Sequence, residues 1–166
     1  MGLSTSNPHS RSLRREESRK LNLWKKNQRI VGRLLRRMKN VMEKELTMKD
    51  GLCYFIYDRF IVVIEVPASD PDQLKIYTCV YQIPKSDPFR SEVLEHCLRM
   101  NYMQETTKGA TLGILEDEVN LHLSCSIALC SYQYLKDVLL GFVTLAVETN
   151  RSLDDLGKTL TPSSTP

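Results

Sequence analysis

The clearest folding signal in this chain is GATLGILEDEVNLHLSCSIALCSYQYLKDVLLGFVTLAVET, residues 109–149. Within it, residues 119–127 alternate between apolar and polar side chains, and a period of two places the two kinds on opposite faces of a strand. This alternation is typical of an antiparallel sheet with one buried face and one face in water. Residues 110–115 predict a preceding strand, and a helix with apolar residues at three- and four-residue spacing follows Ser131.

Three more strands are predicted upstream of this segment. Residues 52–57 (LCYFIY) and 60–66 (FIVVIEV) are rich in β-branched and aromatic side chains, which favour strands. Asp58-Arg59 between them predicts a tight hairpin turn. Residues 74–83 (LKIYTCVYQI) predict the third strand, after a loop rich in turn residues.

Two helices complete the pattern. The first spans Leu21 to Leu46 and has an apolar face and a basic back. The second begins at Asp87-Pro88, an N-cap followed by a proline in the first helical position, and ends near Met103. The element order is therefore α-β-β-β-α-β-β-α, which predicts an α+β single domain built on a twisted antiparallel sheet.

Charge divides the 166-residue chain into a basic head and an acidic body. Residues 1–49 hold 14 lysines and arginines against four acidic residues, a balance of +10, while residues 50–166 carry a balance of −7. We expect the domain to span residues 21–156, between a basic disordered tail at 1–20 and a second disordered tail at 157–166. No apolar run approaches the roughly 20 residues of a membrane span, and no signal peptide is visible.

No constellation of side chains for catalysis can be assembled. The sequence lacks the motifs of phosphate-binding loops, dinucleotide sites, zinc proteases and serine hydrolases. The three histidines are far apart in sequence, and His122 lies on the polar face of a predicted strand. The five cysteines include no C-x-x-C pair, which favours free thiols in a reducing compartment over a zinc site. We therefore expect no enzymatic activity, no cofactor and no bound metal.

From about Leu34 to Leu156 the chain resembles the type III secretion chaperone family, the Tir chaperone or CesT-like group. Residues 109–149 carry the best match, with a Gly-Ala-Thr-Leu-like strand, an acidic turn, an alternating strand and a final apolar helix. LEHCLRMN (94–101) is similar to the family's second helix and its Leu-x-x-Asn-like end. GLCYFIYDRFIVVIEV (51–66) is similar to the family's opening hairpin.

The resemblance implies a small α+β homodimer without catalytic activity that holds an extended segment of a client protein for transfer. Clients of such chaperones contact apolar patches on the first helix and the sheet, and can add a strand to the sheet edge. On this chain the first helix would offer the client Leu34, Leu35, Met38 and Val41. The second helix would supply the dimer contact through Val93, Leu94, Cys97 and Leu98.

The basic head departs from the compact, acidic form that is typical of this family. Its first six residues fit the M-G-x-x-x-[ST] myristoylation pattern, which makes Gly2 a candidate lipidation site. One acyl chain binds membranes weakly, and a polybasic segment is the usual second signal. That segment would consist of Arg11, Arg14, Arg15, Lys20, Lys25 and Lys26. We expect a cytoplasmic protein that can be recruited to the cytoplasmic face of an anionic membrane.

Nucleic-acid binding through the basic first helix is the alternative function. Twelve lysines and arginines lie between Arg11 and Lys39, and Trp24 offers a ring on which a base could stack. Against this alternative, the body's charge of −7 repels phosphates, and the predicted sheet lacks the aromatic pattern of RNA-binding sheets. Binding of a client protein is therefore the favoured prediction.

Overall fold

A computed structural model describes residues 8–83, 89–103 and 107–160. The predicted N-cap at Asp87-Pro88 and the candidate lipidation site at Gly2 lie outside these residues. The described part contains helices and strands in the predicted order, with a short second helix added near the start. These elements are α1 Pro8–Arg36, α2 Lys39–Met42, β1 Leu52–Tyr57, β2 Phe60–Glu65, β3 Gln73–Gln82, α3 Arg90–Tyr102, β4 Thr111–Leu115, β5 Glu118–Ser126, a 3₁₀ turn Ile127–Leu129 and α4 Tyr132–Leu160.

The strands form one antiparallel five-stranded sheet in the order β1-β2-β3-β5-β4. This architecture confirms the α+β class and the antiparallel sheet. The β1–β2 hairpin closes at the Tyr57–Phe60 pair through a two-residue turn in which Asp58 has a positive φ of 54°. β3 and β5 pair along nearly their whole length, with an irregularity in register between Cys79 and Tyr81. β1 and β4 are the outer strands of this sheet, so within residues 8–83, 89–103 and 107–160 each has one side without a strand neighbour.

The apolar residues of α1, α4 and the inner face of the sheet share one core. Leu35 of α1, Ile76 of β3, Leu121 of β5 and Leu139 of α4 are all fully buried in it. α1 is held to the β2–β3 loop by side-chain hydrogen bonds. The Trp24 indole N–H donates to the Val66 carbonyl oxygen at 2.7 Å, and Asn27 Nδ2 donates to the Pro71 carbonyl oxygen at 2.8 Å.

The first helix differs from its prediction at both ends. It begins at Pro8, so the structure is helical over residues 8–20, which the sequence predicts to be a disordered tail. Charged residues with good helix propensity continue the helix without any core to pack on, and Lys20 lies 3.5 Å from Glu16 one turn away. At the other end, Met38 N–H donates three residues back to the Leu35 carbonyl oxygen, and this tightened turn separates α1 from α2.

The last helix extends to Leu160, so the predicted C-terminal tail is also helical over residues 157–160. None of the helices in the described part of the chain combines the length and apolar character needed to cross a membrane. α4 is nevertheless largely buried along one side, where Leu139, Leu145 and Leu153 are each at most 3% exposed. Its polar Asn150 is buried too, and donates from Nδ2 to the Val80 carbonyl oxygen at the irregularity in β3.

Candidate functional site

The apolar face of α1 belongs to the core. Leu35 and Met38, two of the four predicted client-binding residues, are fully buried. Leu34 and Val41 are half-buried and pack against the same core. Leu35 and Met38 therefore offer no surface to a partner unless the domain opens, and the assignment of this face to a client stays a prediction.

The outer edge of β1 is where the sheet remains open. The Gly51 carbonyl oxygen accepts the Val66 N–H at 2.8 Å, so odd-numbered backbone groups of this strand point toward β2. The backbone groups of Leu52, Tyr54 and Ile56 therefore point outward. Those of Leu52 pair with Lys49 in the preceding turn. Tyr54, at the middle of the strand, has no strand neighbour on that side among the described residues.

Exposed apolar side chains lie beside this edge. Tyr54 and Ile56 of β1 are 77% and 56% exposed, and Ile61 of β2 is 60% exposed. Ile56 and Ile61 are direct cross-strand partners, so their side chains share the face of the sheet that points away from the core. We call Leu52, Tyr54, Ile56 and Ile61 the β1 surface.

A sequence signal for the β1 surface was present in LCYFIY. A strand that packs on one face alone alternates with polar residues, whereas residues 52–57 are apolar at every position. Cys53 and Phe55 take the buried positions of this strand. The other apolar residues are therefore left for a second surface.

The opposite edge of the sheet is occupied by a side chain. Asn101, near the end of α3, donates from Nδ2 to the Leu112 carbonyl oxygen at 2.9 Å. Its Oδ1 accepts the Leu112 N–H at 2.8 Å. The side-chain amide thus makes the two hydrogen bonds that a neighbouring strand would make at this point of β4. This contact gives a structural role to the Leu-x-x-Asn-like step of the sequence.

We predict that Asn101→Ala lowers the free energy of unfolding by about 1–3 kcal/mol, because it leaves the partly buried Leu112 peptide groups without partners. Urea denaturation followed by circular dichroism measures the change. Asn40→Ala is the matched control, since Asn40 is an exposed asparagine of α2, and a change within about 0.5 kcal/mol is expected there. Equal effects of the two substitutions would contradict the role assigned to Asn101.

The predicted dimer residues on α3 lie in two different environments, the core and the surface. Val93 and Cys97 are buried in the chain's own core, at 1% and 4% exposure, and their place in an interface stays a prediction. Leu94 is half-buried, and Leu98 is 68% exposed. The exposed apolar residues of this helix continue beyond the prediction, to Tyr102 at 89% and Met103 at 51% exposure.

The predicted basic patch lies on the part of α1 that projects beyond the core. Side chains 12–22 are all exposed, and these include Arg14, Arg15 and Lys20. Lys25 and Lys26 are exposed too, and Arg11 lies within the helix. Trp24 is half-buried, with its indole N–H bonded to Val66, so it is not free to stack on a base as the nucleic-acid alternative requires.

The polar groups of the described residues do not converge as a catalytic or metal centre does. His96 lies 2.9 Å from the Ser152 hydroxyl, while the His122 ring stacks on Tyr77 at 6.5 Å. The acidic turn before β5 is held by Arg90, whose Nη1 donates to Asp117 at 2.8 Å. No group of three metal-ligating side chains occurs in residues 8–83, 89–103 and 107–160.

All five cysteines are free thiols. Burial raises the pKa of the Cys53 and Cys97 thiols to about 11. Cys125 and Cys130 contact each other, and the hydrogen bond between them lowers the pKa of Cys125 while it raises that of Cys130.

The family profile that matches this sequence is that of the Tir chaperone protein (CesT) family, over residues 33–150. This chain belongs to the CesT family. The match covers both edge strands, the Asn101 contact and most of α4, and it confirms the resemblance carried by residues 109–149. A search of curated proteins found no significant match to this CesT-family chain.

Three solved complexes contain a chain whose fold is similar to that of this CesT-family protein. A chain of the ExsC–ExsE complex is 15% identical, with a TM-score of 0.60, and the likeness covers 81% of this chain and 96% of that chain. A chain of the HopA1–SchA chaperone–effector complex is 20% identical, with a TM-score of 0.54 and coverage of 75% and 93%. The type III secretion chaperone SycH of Yersinia pestis, in complex with a fragment of YscM2, is 17% identical, with a TM-score of 0.51 and coverage of 70% and 97%. At these identities the likeness shows the shared fold.

Proposed function

We propose that this CesT-family protein is a non-catalytic chaperone that binds an extended segment of a client protein on the outer edge of β1. The observation that carries the proposal is the open β1 edge beside the exposed side chains of Tyr54, Ile56 and Ile61. A client strand gains backbone hydrogen bonds along such an edge, and its alternate side chains gain apolar contacts. The fold shared with chaperones of solved chaperone–effector complexes supports this assignment.

The two edges of the sheet differ, and the difference favours β1 as the edge to which a client strand adds. The Leu112 peptide groups of β4 are already bonded to Asn101, so a strand that adds there must first displace this side chain. At β1 the outward Ile56 carbonyl oxygen accepts a hydrogen bond from the exposed Lys44 ammonium. This contact protects the edge less well than the Asn101 amide protects β4. A flexible, exposed lysine is displaced at little cost compared with a partly buried amide. The client strand therefore adds at β1.

The active form in this proposal is a homodimer joined through α3. Leu94, Leu98 and Tyr102 recur every four residues and so form one apolar stripe on the helix. Together with Met103, the exposed part of this stripe lines a shallow groove of about 470 Å³. A second copy that places the same stripe in this groove forms a self-complementary contact about a twofold axis.

The proposed place of action is the cytoplasm. Recruitment to a membrane through an acylated Gly2 stays a prediction, since Gly2 lies outside the described residues. The exposed basic side chains of residues 12–22 are consistent with such a contact, because they project beyond the core without packing on it.

Site-specific photocrosslinking tests the client-binding proposal. A benzophenone side chain at Tyr54 in the source organism is expected to yield one discrete crosslinked polypeptide, because Tyr54 lies at the centre of the open edge. The matched control carries the same group at Leu115 of β4, which is 68% exposed on the other edge strand. A discrete product from position 115 and none from position 54 would overturn the assignment to β1.

A further inference from the structure

A basic groove lies beside the β1 surface, and the client contact proposed above gives it no role. Four cations lie along one side of α1, at Lys25, Arg29, Arg33 and Arg36. With about 100° of rotation per residue, their positions fall within an arc of about 80°. The segment that leads to β1 forms the opposite wall, and the groove encloses about 450 Å³. Its remaining lining residues are Gln28, Gly32, Thr47 and Met48.

The positive charge of this groove is not neutralised within the described part of the chain. All four cations have exposed side chains, and none of the salt bridges among the described residues involves them. Four like charges along about 16 Å of helix repel one another, since neighbouring charges in the row are about 4.5–6 Å apart along the axis, less than a Debye length of about 8 Å. An anionic ligand would relieve this repulsion.

We propose that the groove binds an acidic segment of the client polypeptide, with carboxylates at alternate positions. This deepens the proposed function by naming the charge and spacing of the part of the client that lies beyond β1. Helical residues four apart are separated by about 6.0 Å along the axis. Alternate side chains of an extended chain repeat every 6.6–6.8 Å or so. Over Lys25, Arg29 and Arg33 the two repeats diverge by about 1.4 Å, which flexible cationic side chains accommodate.

The groove and the β1 edge are continuous along the chain. Thr47 and Met48 form the groove wall, and the turn that follows joins them to β1 through the bond from Lys49 N–H to the Leu52 carbonyl oxygen at 2.7 Å. A client strand paired with β1 that leaves the sheet at Leu52 therefore reaches the groove within a few residues. Arginine guanidinium groups bind carboxylates in bidentate geometry, which adds direction to the charge attraction.

The charge of the rest of the domain favours a polypeptide over a nucleic acid. Residues 50–166 carry a balance of −7, so a polyanion that continues beyond the groove meets repulsion from the body. A polypeptide, unlike a nucleic acid, can confine its negative charge to the segment that lies in the groove and carry neutral or apolar residues elsewhere. Local complementarity of this kind suits a protein segment.

Fluorescence anisotropy with the full chain and labelled synthetic peptides tests the inference. The probe is a nine-residue peptide in which Glu and Thr alternate, and the comparison peptide has the same composition in two blocks. At about 0.15 M salt we expect the alternating peptide to bind at least about fivefold more tightly than the block peptide. A nine-nucleotide oligo(dT) serves as the competing polyanion.

The variants are matched in charge. Arg29→Glu with Arg33→Glu reverses two cations of the groove, and Arg14→Glu with Arg15→Glu reverses two exposed cations outside it. The groove variant is expected to bind the alternating peptide at least about tenfold more weakly, and the outer variant within about twofold of the wild type. Gly32→Leu fills the groove without changing charge and is also expected to weaken binding, since a Cβ there already lies 3.5 Å from the Met48 Cβ.

Three results would overturn the inference: equal losses in the two charge-reversed variants, equal binding of the two peptides, or tighter binding of oligo(dT) than of the alternating peptide. Absence of saturable peptide binding up to about 1 mM would also overturn it. None of these results depends on Tyr54. A negative result for peptide binding in the groove can therefore be distinguished from a negative result for client binding at the β1 edge, which crosslinking tests separately.

Discussion

Tyr54→Pro is expected to weaken client binding by more than about 100-fold, which corresponds to roughly 3 kcal/mol. The Tyr54 N–H points outward on an edge strand, so a proline there leaves the β1–β2 hydrogen bonds in place. The substitution removes the donor that a client strand needs and places the proline ring in its path. It also removes a ring that is 77% exposed in the free protein and would be covered in the complex. The measurement is the dissociation constant for the polypeptide captured by crosslinking at position 54.

Two variants at the same position separate the backbone from the ring. Tyr54→Phe keeps both the N–H and the aromatic contact, and binding within about twofold of the wild type is expected. Tyr54→Thr keeps the N–H and β propensity but loses the ring, and a loss of about tenfold is expected. Thermal unfolding checks that each variant is folded. Wild-type affinity in folded Tyr54→Pro would contradict strand addition at β1.

Leu98→Glu combined with Tyr102→Glu is expected to convert a homodimer into monomers. The two side chains are 68% and 89% exposed in the single chain, one turn apart on α3. In a twofold contact each is buried twice, so charges at these positions raise the dissociation constant by more than about 1000-fold. Sedimentation equilibrium is expected to give twice the 19.1 kDa chain mass for the wild type and the single-chain mass for the variant.

Leu129→Glu is the matched control for this experiment. Leu129 is 65% exposed, close to the value for Leu98, but it lies in the 3₁₀ turn between β5 and α4. We expect the control to remain a dimer. A monomeric wild-type protein, or a double variant that is still a dimer, would contradict the proposal that α3 forms the dimer interface.

The sheet was predictable because its signals are local. The alternation in residues 119–127 and the β-branched run in residues 60–66 give strand positions within one residue of those in the structure. The last helix begins where the apolar spacing resumes, directly after Ser131. Each of these patterns depends on which side chains face the core. An apolar period of two residues indicates a strand, and one of 3.6 residues indicates a helix.

The candidate site was predicted less well, since periodicity identifies an apolar face but not what covers it. Leu35 and Leu98 both lie on apolar helix faces, yet one is fully buried and the other is 68% exposed. The Asn101 contact with Leu112 joins the end of α3 to an edge strand, and no local pattern encodes that pairing. The start of α1 at Pro8 was missed because residues 12–22 are all exposed in the helix and so leave no apolar period in the sequence.

Hydrogen exchange of the Tyr54 backbone amide, free and in complex with the crosslinked client, tests the central claim most directly. In the described part of the chain no strand lies beside the outward N–H of this residue, so it is expected to exchange rapidly in the free protein. Strand addition predicts that its exchange slows by at least about tenfold in the complex, while the Leu112 amide bonded to Asn101 keeps its rate. Unchanged exchange at Tyr54 in a fully formed complex would contradict the account.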